Sequence, residues 1–358
     1  MNKLLNYMMA AAAVCSLAAC DDSDDNGPEI IPPISNNTTM AYVISEGTQG
    51  YNIDGSLTTI DFDANTSVAD AFKAANGRTL GDTPQCGIVY GDHIFLGVCG
   101  SNTIEVLDRK TLRSVKQISL AGRQAQQPRS MVAHNGSVYI SMYNGYVCRM
   151  DTVQFEINHI IPVGPNPEVM ARIGDYLYVP NSDGMNWEEG YGTTATRIDL
   201  TNFTVERNFE VGLNPYEFIA GDNNDLYLIC RGNYSDVHNI LYKVNPMTLK
   251  SDSITEATYA SYYDGKIYAI DAPWGQKPNY RVYDTATRDI TDMPESITVD
   301  SPTGIGVCPF NGTILITSNK LNGEYPAYDQ PGYCALFTSD GQSRGTYATG
   351  VTPAHIFF

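Results

Sequence analysis

Residues 84–120 read PQCGIVYGDHIFLGVCGSNTIEVLDRKTLRSVKQISL. Four short strands fit on this stretch. Residues 84–90 form a first strand and Gly91-Asp92 a turn. Residues 93–98 alternate as a second strand, and Gly100-Ser101-Asn102 turns the chain again. Residues 103–107 make a third strand and residues 115–120 a fourth. Asp108, in the turn between the last two, can bond the backbone two residues on. The same frame returns along the chain. Its openings are Pro84, Pro128, Pro167, Pro215, Thr258, Pro302 and Pro353, spaced 39 to 51 residues apart. The first turn recurs as Asn135-Gly136, Gly174-Asp175, Asn223-Asn224, Asp264-Gly265 and Asn311-Gly312. A four-stranded repeat of this length predicts the blade of a propeller.

Six modules fill residues 84–352. The remaining pieces complement one another. Residues 353–358 have the form of a first strand and then stop. Residues 41–45 have the form of a second strand with no first strand before it. Residues 56–62 supply a third strand and residues 67–72 a fourth. Pairing the two ends yields a seventh blade and leaves no open edge in the ring. The expected fold is therefore an all-β, seven-bladed β-propeller over residues 40–358.

The first 19 residues read as a signal peptide. Lys3 precedes an apolar stretch over residues 4–16, too short to span a bilayer. Leu17-Ala18-Ala19-Cys20 resembles the lipobox of bacterial lipoproteins, which makes Cys20 the acylated anchor and the acyl chains the membrane contact. Residues 20–39 form an acidic, Gly/Pro-flanked linker that opens Asp21-Asp22-Ser23-Asp24-Asp25. Acidic residues directly after the lipid-bearing Cys resemble the surface-export signal of Bacteroides-group lipoproteins. The resemblance implies a chain on the outer membrane, facing the exterior. A formal charge of −18 argues against nucleic acid and anionic lipid surfaces as partners. Cys86, Cys99, Cys148, Cys230, Cys308 and Cys334 show no CxxC and no zinc spacing. Most fall in expected strands and read as buried thiols, although an exported chain can oxidise some.

In a propeller, the loops joining second to third strands share a face with the links from one blade to the next. Those loops are residues 46–55, 99–102, 143–145, 180–193, 230–238, 271–279 and 318–332. Both tryptophans, Trp187 and Trp274, lie in them, with Tyr51, Tyr143, Tyr191, Tyr234, Tyr325 and Tyr328. The positions after each blade opening add Gln85, Arg129, Glu168, Tyr216, Tyr259, Thr303 and Ala354 to the same face. Exposed aromatics converging there suit a large planar ligand or a sugar. Arg129, Arg231 and Lys320 are candidate polar contacts. There is no GxSxG, HExxH or phosphate loop, and the five histidines are scattered. Binding without catalysis, cofactor or metal is the expectation.

The cadence GSNTIEVLDRKT at residues 100–111, with Val-Gly-x-x-Pro at 163–167 and Val-Gly-Leu-Asn-Pro at 211–215, resembles the YncE-type seven-bladed propellers. Residues 42–47 (YVISEG) and 55–62 (GSLTTIDF) resemble the opening of a Bacteroides surface-lipoprotein family within that group, the cobalamin-capturing BtuG-like lipoproteins. The resemblance implies a surface protein that captures a small molecule, with a corrinoid (vitamin B12) favoured. It also implies delivery to a TonB-dependent outer-membrane transporter. It carries over no individual contact residue. The competing reading is a glycan-binding or protein-interaction propeller of a polysaccharide-uptake system.

Overall fold

The computed structural model describes residues 40–358. The expected signal peptide (1–19), the linker (20–39) and Cys20 lie outside the described residues. Seven four-stranded antiparallel sheets form the body of the described residues, each strand paired with its neighbour in sequence except at the closure and in the sixth blade, where Ile314–Asn319 pairs with Pro331–Phe337 across a small hairpin. The innermost strands of the first six blades are Pro84–Tyr90, Pro128–His134, Ala171–Ile173, Pro215–Ala220, Tyr259–Tyr263 and Ser301–Val307. In the seventh blade Pro353–Phe357 pairs with Met40–Ser45, which pairs with Ser56–Asp61 and then Thr66–Val68. The register sets Val43 against Ile356 and Tyr42 against Phe357, whose rings stack at 5.1 Å. The ring is clasped by its own two ends, as the end sequences imply.

The second strands are almost wholly apolar because both of their faces are covered. Tyr42 and Ile44 pack on Ile94 and Leu96 of the first blade. Their neighbours Ala41 and Val43 pack on Leu315 and Leu336 of the sixth. The same division recurs around the ring, giving one apolar cluster between each pair of adjacent blades. Cohesion therefore lies between blades, and each blade depends on two neighbours.

Three local expectations change. Residues 67–72 do not continue as an outer strand. Thr66–Val68 is strand, and Ala71–Asn76 is a helix capped by Asp70, whose carboxylate accepts from the Lys73 amide. Phe72 turns inward from this helix and is buried between the seventh and first blades. The third blade's inner strand is regular only from Ala171. Pro167 makes a lone bridge to Asn181, and Val169 pairs instead with Glu217 of the next blade. The 318–332 loop contains a small hairpin, Leu321–Asn322 against Tyr325–Pro326. The six cysteines of the body are free thiols, all buried except the half-buried Cys99. Burial pushes Cys86, Cys148 and Cys230 up to about 12.

Candidate functional site

The blade openings share a backbone device. Thr83, Gln127, Asn166, Asn214 and Thr352, each just before an opening Pro, have φ between 46° and 64°. This left-handed turn swings the chain from one blade's outer edge into the centre of the next. Such a conformation is costly for residues with a Cβ. The carbonyls of these residues are all used. They accept from the amides of Cys99, Tyr143, Ser182, Arg231 and Glu46 respectively, at 2.8 to 3.1 Å. Each donor is the first residue past a second strand. Arg231 and Glu46 are thus held at equivalent points around the ring axis.

A bulge follows the opening. The register shifts directly after Pro84, Pro128, Pro215 and Pro302, and at Pro353 where it meets Ser45. An extra residue on the inner strand breaks the strict alternation of side chains. Consecutive residues then reach the same space: Gln85 with Cys86, Arg129 with Ser130, Tyr216 with Glu217, and Ala354 with His355.

That space is an open central funnel of about 820 Å³. Tyr216, Glu217, Tyr259, Arg129 and Arg231 line it, and Trp274, Tyr325 and Tyr328 border it from the fifth and sixth loops. A smaller hollow of about 350 Å³ adjoins it through Gln85 and Arg129, and adds Cys99, Tyr143 and Met185. The funnel thus gathers Arg129, Tyr216, Arg231, Trp274, Tyr325 and Tyr328, with Tyr143 next door. Five expected residues stand apart. Glu168 is buried behind the lining. Tyr51 is exposed on its own loop. Tyr191 and Tyr234 meet edge to face at 5.8 Å over the third and fourth blades, and Trp187 shares the Tyr191 loop. Trp187 and Trp274 belong to the same class of loop, but only Trp274 borders the funnel.

The charges are arranged in layers. The Nε of Arg129 donates to the buried Glu168 carboxylate at 2.6 Å, and the other Glu168 oxygen accepts from Ser182 at 3.1 Å. Arg129 also lies 5.3 Å from the Tyr143 ring centre and 5.8 Å from that of Tyr216. Arg231 stacks on Tyr216 at 3.4 Å. Glu46 pairs with His355 Nε2 at 2.9 Å. Burial alone would raise Glu46, but the hydrogen bond and charge of His355, with the charge of Arg129 and a hydrogen bond from Gln85, together outweigh it and hold the carboxyl below its ordinary value. Glu217 has no such bond among the described residues. Burial pushes it up to about 7, with Arg231 opposing. Three buried polar atoms of the lining have no partner among the described residues: Arg231 Nε, Asn319 Oδ1 and Thr352 Oγ1. Sequence reasoning placed Gln85 on this face but missed Glu46, Glu217 and His355 as site residues. Their signal is a polar residue beside a bulge or just past a second strand.

No family model matches the chain, and no curated protein sequence matches it. Solved structures do share the fold. A quinoprotein alcohol dehydrogenase-like protein from Bacteroides thetaiotaomicron aligns with a TM-score of 0.60 at 12% identity, covering 88% of this chain and 77% of that one. Hydrazine synthase from Kuenenia stuttgartiensis aligns at 0.53 and 12% identity, over 75% and 96% of the two chains. The β-propeller domain of Cps50 (Swd1) from Myceliophthora thermophila aligns at 0.54 and 8% identity, over 74% and 88%. At these identities the likeness concerns the fold, which is compatible with ligand or protein binding.

Proposed function

We propose that this chain captures a small molecule in its central funnel, without turning it over. In this reading it is a lipid-anchored protein of the outer-membrane surface that hands its ligand to a TonB-dependent transporter. A corrinoid is the first ligand to test. The observation that carries the capture reading is the funnel itself. Its volume falls in the range of small-molecule sites, its rim is aromatic, and its lining holds the two arginines Arg129 and Arg231. The lipobox-like Cys20 and the family resemblance support the anchoring, the transporter and the corrinoid.

Calorimetry with cyanocobalamin tests the reading. Heat of binding and a raised melting temperature at saturation are expected. Trp274→Ala should weaken binding by about tenfold or more, as loss of an aromatic anchor does, while Trp187→Ala leaves it unchanged. No heat and no thermal protection would remove the corrinoid. A glycan reading has its own support in the Tyr191–Tyr234 pair and the exposed Trp187 outside the funnel. Oligosaccharide binding that depends on Trp187 and ignores Trp274 would favour it.

A further inference from the structure

Resting on the capture reading, we propose that the funnel selects a ligand bearing an anionic oxygen group, a carboxylate or a phosphate, with Arg231 as its anchor and Arg129 as a second donor. Arg231 is half-buried in the lining and spends one face of its guanidinium on Tyr216, at 3.4 Å from the ring centre. Stacking leaves the N–H donors free, because they lie in the guanidinium plane, at right angles to the stacking contact. None of them meets a hydrogen-bond acceptor among the described residues, and Nε is shut off from solvent. A buried donor on a permanent cation left without an acceptor is destabilising. The terminal nitrogens, which carry no hydrogen bond among the described residues and are not shut off from solvent, are the donors that an acceptor arriving with the ligand can reach.

The surroundings support an anion. Arg129 lies against the same Tyr216 ring. Its Nε is taken by Glu168, which fixes its orientation, and its two terminal nitrogens carry no hydrogen bond among the described residues. Of the lining carboxylates Glu46, Glu217, Asp300 and Glu324, none makes an ion pair with Arg129 or Arg231 among the described residues. Glu46 is engaged by His355. Glu217 makes no contact with Arg231 of ion-pair length, and burial favours its neutral form. The aromatic lining gives the rest of such a ligand a flat apolar seat, so the probe class is an aryl anion. Arg forks recognise carboxylate and phosphate alike.

Three naphthyl probes, 2-naphthoate, its neutral isostere 2-naphthamide, and 2-naphthyl phosphate, test this by calorimetry on the full chain. At least one anion should bind about tenfold or more tightly than the amide, and the tighter of the two identifies carboxylate or phosphate. Arg231→Gln should weaken the anions more than the amide and so remove that preference, and Arg231→Lys should restore part of it. Equal binding of amide and anions, or a preference that survives Arg231→Gln, overturns the proposal. If Arg231→Gln has no cooperative melt, the ratio of anion to amide affinity in the unaltered protein decides. Cyanocobalamin binding with no binding of any naphthyl probe sinks the anion anchor and leaves the capture reading standing. Arg231-dependent naphthoate binding without cyanocobalamin binding removes the corrinoid and keeps the anchor.

Discussion

Glu217 and Glu46 both line the funnel, yet their environments push them in opposite directions. Burial pushes Glu217 up to about 7 in the folded protein, from an ordinary value of 4.5. Between those pH values the native state holds a proton that the unfolded chain has lost. Stability therefore falls as pH rises through that window, by up to about 1.4 kcal/mol per pH unit, and levels off above it. Urea unfolding from pH 4.5 to 8 should show this decline, and Glu217→Gln should flatten it. A slope unchanged in that variant would clear Glu217 as its source. Glu46 works the other way. Its depressed value means that its contribution is present above the ordinary carboxylate range and is lost as pH falls below it. Acid should thus weaken the His355–Glu46 tie that joins the inner strand of the seventh blade to its own loop.

At the scale of elements, the helix Ala71–Asn76 shows how a local signal can be overruled. Residues 67–72 alternate well enough for an outer strand, but Asp70 accepts from the Lys73 amide and Gly77 closes the helix at φ 70°. Turning the chain there lets Phe72 fill the space between the seventh and first blades, with Arg78 over its ring at 4.8 Å. Phe72→Ala should cost about 3–5 kcal/mol, and Asp70→Ala about 1 kcal/mol, both read from denaturant unfolding. If Phe72→Ala cost no more than Asp70→Ala, the helix would be a surface ornament and not a plug. The bulges after the opening prolines are elements of the same kind. They shift the register by one residue and bring Glu217 into the funnel beside Tyr216.

For the whole molecule, closure is the decisive event. Met40–Ser45 has partners on both sides only while Pro353–Phe357 is present. Deleting residues 353–358 should open that edge, unstack Phe357 from Tyr42 and empty part of the seventh–first interface. The expected outcome is loss of a cooperative melt, or association through the bare edge in size-exclusion chromatography. A truncated monomer with an unchanged melting temperature would mean that the clasp is dispensable.

The four-strand cadence, the seven blades and the joining of the ends were legible in the sequence. They follow from strand length, alternation and turn residues, all of which are properties of neighbouring residues. The class of loop that would carry Trp187 and Trp274 was legible for the same reason. Their separation was not, because distance from the ring axis exists only once the ring has closed. The burial of Glu168 behind Arg129, the stacking of Arg231 on Tyr216 and the entry of Glu217 were likewise decided in three dimensions. Each depends on a bulge or a blade-to-blade contact between residues that the chain keeps apart.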